Sequence, residues 1–209
     1  MEQYDGIIFD VDGTIWDARE VIYLSWKEAI EKHTNWKVHF DAEELGSQFG
    51  KTMDDIFAYL YPDMTKEELT ELIPYFYEYE HRFLREMKPK PYDGLEEVLA
   101  ELKKKYPLYI VTNAQKGYVE AMFDATGLQS YFTDWMCYGD TLEPKNVTMK
   151  LLVEKHGLTR PVYIGDTQGD ANACELAGIP MIYAAYGLGN VEHSWKTIHS
   201  PKELLKLLA

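Results

Sequence analysis

Apolar positions along this chain follow two different rhythms. Residues 4–9 form a short run rich in Ile and Phe, closed by the Asp12-Gly13 pair, which predicts a buried strand ending in a turn. From Asp17 to about His33, the residues Val21, Leu24, Trp26 and Ile30 recur at helical spacing among Arg19, Glu20, Lys27, Glu28, Glu31 and Lys32, so an amphipathic helix is expected there. Helical patterns continue over residues 41–45, 53–60 and 65–87, and the last opens with Thr65 and Glu68 at the spacing of a capping box. No strand pattern interrupts that stretch.

The rhythm changes at KPKPYDG, residues 88–94, where Pro89 and Pro91 bias the residue before each of them away from helix. Beyond this linker the chain alternates: helix 95–105, strand 107–112, helix 117–126, strand 132–138, helix 147–157, strand 161–165, helix 170–177 and strand 179–183. A β-like piece near Ile198 and a helix over 201–208 follow. Such alternation predicts an α/β fold, a Rossmann-like doubly wound parallel sheet with helices on both faces. The first strand has no neighbour in sequence to pair with and is expected to join that sheet. Residues 1–15 and 91–209 then make the α/β core, and residues 16–90 an inserted all-helical cap domain.

Composition narrows the possibilities. At 209 residues with 46% hydrophobic and 14% aromatic content, the chain has enough apolar mass for one packed domain carrying an insertion, which excludes a disordered protein. Lys plus Arg number 21 against 35 Asp plus Glu, a formal charge of -14, so a nucleic-acid backbone is repelled and no nucleic-acid partner is expected. The longest apolar stretches fall well short of the roughly 20 residues needed to span a bilayer, so no membrane partner is expected either. Cys137 and Cys174 form neither a disulfide framework nor a zinc-ligand spacing, and the opening MEQYDGIIFD is acidic where a secretion signal is basic. A reduced, cytoplasmic setting is the expectation; the oligomeric state stays open.

In an open parallel sheet, ligands bind in the crevice at the C-terminal ends of the strands. There the first strand ends in Asp10-Val11-Asp12-Gly13-Thr14, the second in Thr112-Asn113-Ala114, and the fourth in Gly165-Asp166-Thr167-Gln168-Gly169-Asp170, with Lys145 just before the helix after the third. The carboxylates of Asp10, Asp12, Asp166 and Asp170 repel one another unless a cation holds them, and an all-oxygen donor set selects Mg²⁺, which shares its sphere with phosphate oxygens. A phosphate ester is the implied substrate. Asp10 can attack phosphorus, Asp12 can serve as acid and then base from two positions along the same face, and Thr112, Asn113 and Lys145 can bind the phosphoryl oxygens.

The segments DVDGT, VTNA, a Lys before a helix and GDTQGD, in this order, resemble the four motifs of the haloacid dehalogenase-like superfamily, in its phosphoglycolate-phosphatase-like branch. The helical insertion between the first two motifs resembles that family's cap. The resemblance implies a nucleophile at Asp10, an acid/base at Asp12, phosphate ligands at Thr112 and Lys145, and a Mg²⁺ site that includes Asp166 and Asp170. It further implies that the loop from Gly46 to Thr52, through Gln48, Lys51 and Thr52, touches the leaving group. Two positions depart from the family pattern: Pro144 precedes Lys145 where Lys-Pro is usual, and Trp16 stands where Leu is commoner. The expected protein is a Mg²⁺-dependent phosphatase that hydrolyses a small soluble phosphate monoester, phosphoglycolate-like or a sugar or nucleotide phosphate, through an aspartyl phosphate. A β-phosphoglucomutase-like phosphoryl transfer shares every core motif. A phospho-accepting receiver-like module is the non-enzymatic alternative, which Asp12 and the insertion argue against.

Overall fold

A computed structural model of the protein describes residues 4–208. Six strands among the described residues form one sheet: β1 (Gly6–Phe9), β2 (Leu108–Thr112), β3 (Asp134–Cys137), β4 (Pro161–Gly165), β5 (Met181–Ala184) and β6 (Lys196–Ile198). Their order is β3-β2-β1-β4-β5-β6, and every pairing is parallel. The first strand therefore lies in the middle of the sheet, with Phe9 in register with Ile110 of β2 and Ile164 of β4. All residues of β1, β2 and β4 are buried, as a parallel sheet covered on both faces requires.

Between β1 and the linker at residues 88–94 come four helices: α1 (Arg19–His33), α2 (Ala42–Gly46), α3 (Met53–Leu60) and α4 (Lys66–Met87). Thr65 caps α4 in the expected capping box, its Oγ1 accepting the Glu68 N–H at 3.2 Å while Glu68 Oε2 accepts the Thr65 N–H at 2.8 Å. These helices share an aromatic centre in which Trp26 of α1 stacks on Phe57 of α3 at 4.8 Å, and Phe76 of α4 meets Phe57 edge-on at 4.7 Å. Truncating a buried aromatic such as Trp26 costs about 3–5 kcal/mol.

The remaining helices cover the sheet: α5 (Leu95–Leu102), α6 (Tyr118–Thr126), α7 (Tyr138–Thr141), α8 (Lys145–His156), α9 (Gln168–Ala177) and α10 (Glu203–Leu208). Alternate strand residues point to opposite faces. Ile7, Phe9 and Ile110 thus join helices α1 to α6 and α10 in one apolar cluster, while Ile8, Tyr109 and Tyr163 pack with Met149 of α8 and Cys174 of α9. The two crossings of the chain meet: Trp16 bridges to Pro91, and the Tyr92 N–H donates to the Ile15 carbonyl at 2.9 Å.

The expected helices and strands are all present, with shifted ends. The α8 helix begins at Lys145 rather than 147, because the Pro144 carbonyl at its N-terminus accepts from the N–H groups of Val147 and Thr148. The α7 turn and a 3-10 turn at Leu128–Tyr131 were not expected; four residues are too few to show a period. No helix among the described residues is long and apolar enough to cross a membrane.

Candidate active site

The switch in strand order places the ends of β1, β2 and β4 side by side. After β1 the chain turns tightly, with the Val11 carbonyl accepting from the N–H groups of Thr14 and Ile15. Gly13 sits there at φ +77°, and a Cβ on it would lie 2.0 Å from Asp166 Oδ2, so both conformation and space demand glycine. That close approach brings Asp166, which follows β4, against the β1 turn.

Lys145 ties the centre together. Its Nζ is buried and donates to Asp10 Oδ1 at 3.0 Å and to Asp170 Oδ1 at 2.5 Å. Asp170 is fully committed: Oδ1 also accepts from the Tyr163 hydroxyl at 3.3 Å, and Oδ2 from the Thr167 hydroxyl at 2.7 Å and the N–H groups of Thr167 and Asp166. Burial opposes its ionisation, but the Lys145 charge and these donors hold its pKa below the ordinary carboxylate value. Lys145 is in turn held charged, its pKa raised against the effect of burial by Asp10 and Asp170. The Lys-after-Pro departure in the sequence therefore leaves the ammonium in the centre of the site.

Carboxylate oxygens of Asp10, Asp166 and Asp170 lie within 4.8 Å of one another. Burial, with the Asp170 charge behind it, pushes Asp10 up to about 7 and Asp166 likewise up to about 7. Asp166 Oδ2 accepts from the N–H groups of Leu188 and Gly189, at 2.8 and 3.1 Å. With all three carboxylates ionised, as a bound cation favours, they sum with one ammonium to a formal charge of -2 (-3 plus +1), the deficit that one divalent cation balances, and the donor set is the hard oxygen set such a cation takes. The carboxylate of Asp12 stands outside this group. Its Oδ1 accepts from the Tyr118 hydroxyl at 2.7 Å and from Trp16 Nε1 at 3.0 Å, and burial pushes it up to about 7 despite the Tyr118 bond. Of the four acidic residues expected around a metal, three gather by their side chains.

A cavity of about 60 Å³ opens between the crevice and the inserted helices, lined by Asp10, Asp12, Thr112 and Asn113 from below and by Lys51 and Glu80 from above, among others. Thr112 is buried, its Oγ1 accepting the Ala114 N–H at 3.3 Å. Asn113 Nδ2 donates at 2.6 Å to the carbonyl of Gly50, which stands at φ +88° in the loop before α3. Lys51 Nζ donates to Gln48 Oε1 at 2.7 Å. Gln48 is buried behind Lys51 and does not itself line the cavity; Thr52 caps α3, its hydroxyl accepting the Asp55 N–H at 3.4 Å and donating to Asp55 Oδ2 at 2.8 Å. Of the three loop residues singled out, only Lys51 reaches the lining.

Three residues had no role assigned from the sequence. Tyr118 and Trp16 grip Asp12, and Glu80 accepts hydrogen bonds from Trp26 Nε1 on Oε1 and from Gln115 Nε2 on Oε2. A signal for Glu80 existed: Leu72, Phe76, Glu80 and Leu84 repeat every four residues and are all buried, so a carboxyl sits in the middle of an apolar stripe. Phe76 and Tyr79 of the same helix serve packing.

The haloacid dehalogenase-like hydrolase family matches residues 7–184 of this chain. The chain belongs to that family and is an enzyme of its phosphatase kind. It is 26% identical over 177 residues to the pyrophosphatase PpaX of Bacillus velezensis, covering 82% of this chain and 79% of that one. It is 24% identical over 214 residues to a phosphoglycolate phosphatase of Aquifex aeolicus, covering 97% and 95%. Among solved structures, a predicted phosphatase from Clostridium acetobutylicum superposes with a TM-score of 0.84 at 24% identity, covering 99% of this chain and 98% of that one.

Proposed function

We propose that the protein is a Mg²⁺-dependent phosphatase acting on a small soluble phosphate monoester, of the phosphoglycolate, sugar phosphate or nucleotide kind, through a phosphoryl group carried on Asp10. The observation that carries this reading is the buried group of Asp10, Asp166 and Asp170 around Lys145, two positive charges short of neutrality. Asp10 and Asp166 would hold the metal, with Asp170 chiefly fixing Lys145. When bound, Mg²⁺ offsets the carboxylate repulsion and the negative charge of the phosphoryl oxygens.

Asp10 forms a bond from its carboxylate oxygen to phosphorus as the ester oxygen–phosphorus bond breaks, and Asp12 gives its proton to the departing alkoxide. An Asp12 pushed up to about 7 holds such a proton near neutrality. Asp12 then takes a proton from water, which attacks phosphorus, breaks the Asp10–phosphoryl bond and releases inorganic phosphate. Lys145 and Thr112 steady the phosphoryl oxygens. Residues 16–90 act as a cap over this chemistry, and the bond from Asn113 to Gly50 latches it to the core. The buried free thiols of Cys137 and Cys174 suit a cytoplasmic setting.

The test is phosphate release from a panel of esters with and without Mg²⁺, in the wild type and in Asp10→Asn. Turnover in the variant should fall by about three orders of magnitude or more while the protein stays folded. Near-wild-type release by Asp10→Asn would refute the covalent route, and an isomeric sugar phosphate in place of free phosphate would mark a mutase instead.

A further inference from the structure

Glu80 is unusual among the groups facing the cavity. It comes from α4 of the inserted helices, is 2% exposed, and lines the same small space as Asp10 and Asp12. One donor fixing it, Trp26, belongs to α1 and the other, Gln115, to the loop after β2, so the carboxyl is clamped between the two halves of the molecule. Each carboxylate oxygen accepts one bond and keeps a second lone pair. Apart from Glu80 and Lys51, the side chains of the upper wall are apolar, among them Ile22, Trp26, Phe49, Met53 and Ile56.

Donors available to a leaving group in this space are few. The Tyr118 hydroxyl is spent on Asp12, and one of the two Asn113 amide N–H groups donates to Gly50. Among the described residues, the Lys51 ammonium is the one cationic side chain on the lining, and it is exposed and gives one of its donors to Gln48. A carboxylate or second phosphate placed here would be stripped of water beside a carboxyl group that offers no positive charge in either protonation state. A hydroxyl or ammonium finds an acceptor whose own desolvation is already met by two donors.

Resting on the phosphatase reading above, we propose that Glu80 determines the leaving group: the enzyme takes phosphate esters of small polyols or amino alcohols, whose hydroxyl or ammonium hydrogen-bonds to Glu80, and discriminates against esters and anhydrides that leave as anions. Glycolate, released from phosphoglycolate, and phosphate, released from pyrophosphate, are leaving groups of the disfavoured kind. Glu80 touches substrate and sets its class; the bonds made and broken are those of Asp10 and Asp12.

The experiment measures kcat/KM of the full-length protein with Mg²⁺ on glycerol phosphate, phosphoethanolamine, phosphoglycolate and pyrophosphate, with a nitrophenyl phosphate as common reference, in the wild type and in Glu80→Gln. The wild type should favour the hydroxyl- and ammonium-bearing esters over the two anionic cases by about tenfold or more, and Glu80→Gln should shrink that ratio by about tenfold, the scale of one hydrogen bond to a charged group. Circular dichroism checks the variant's fold; if it does not fold, the wild-type ranking decides. A wild type that prefers phosphoglycolate or pyrophosphate overturns the inference and leaves the phosphatase reading intact. A common loss on every substrate in Glu80→Gln also overturns it, because that is the mark of a purely structural tie. No phosphate release from any compound, the aryl ester included, would overturn the phosphatase reading and the inference with it.

Discussion

Tyr118 and Asp12, 106 positions apart, share a 2.7 Å hydrogen bond, and Trp16 Nε1 donates to the same carboxylate oxygen at 3.0 Å. Both donors converge on Oδ1, so Oδ2 has no hydrogen-bond partner among the described residues and is the oxygen left to carry a proton. The two rings also brace each other edge-on at 6.2 Å. Tyr118→Phe keeps that packing and removes one of the two bonds. Turnover should fall by about tenfold, a part of the roughly 10²–10⁴-fold that a well-placed acid/base contributes, because the Trp16 bond still holds Asp12, with the fold retained. Unchanged kcat in steady-state assays would show that the phenol does not orient Asp12.

Metal binding should register as stability as well as activity. With the buried acidic group short of positive charge, excess chelator should abolish turnover and Mg²⁺ should restore it, while Ca²⁺, with its larger and looser coordination, should substitute poorly. Because the metal binds the folded state, the melting temperature should climb with Mg²⁺ concentration, and this rise should be smaller in Asp166→Asn. A melting temperature indifferent to Mg²⁺ would count against the site.

The loop and the core should separate in a substrate panel. Lys51→Ala changes a group on the lining, and Gln48→Ala changes the group that holds Lys51, so both should reorder substrates more than they alter hydrolysis of a small aryl phosphate. Lys145→Ala should lower every substrate together, since Lys145 donates to Asp10 and every substrate presents the same phosphoryl group there. One common factor for the loop variants, or none, would remove the specificity role of the loop.

Asp5 offers a pH test far from the site. Burial works against its charge, but the Thr159 hydroxyl and N–H, each at 2.7 Å, and the Arg160 N–H lower its pKa in the folded state. A depressed folded-state value contributes stability above the unfolded value near 3.8 and loses it as pH falls through the folded value. Asp5→Ala should therefore cost about 1 kcal/mol at pH 7 after allowance for solvent screening, or roughly 2–4 °C in melting temperature. In acid the gap between the two proteins should close; a gap that persists at low pH would point to lost packing instead.

Period and punctuation alone made most of the architecture readable. The switch from 3.6-residue to alternating patterns at residues 88–94 separated the inserted helices from the sheet, and the strand-end clusters around Asp10, Thr112 and Asp166 marked one edge as the place for chemistry. These features are local: a strand or helix declares itself within a window of its own length, and short motifs carry their acidic residues with them. The α7 turn and the start of α8 at Lys145 escaped because they depend on a few local hydrogen bonds rather than on a repeating pattern.

What each candidate residue touches is set by neighbours far away in sequence. The sequence by itself determined that Asp10, Asp12, Asp166, Asp170 and Lys145 share one sheet edge. Tertiary structure decided that Asp170 anchors Lys145, that Asp12 is gripped by Trp16 and Tyr118 apart from the acidic group, that Thr52 caps a helix, and that Glu80 crosses from the inserted helices to face the same cavity. The physical reason is that a carboxyl's role depends on which donors and charges lie within a few ångströms of it. Those distances arise only when the strand order brings β1, β2 and β4 together and α4 packs across α6, an arrangement that no local pattern encodes.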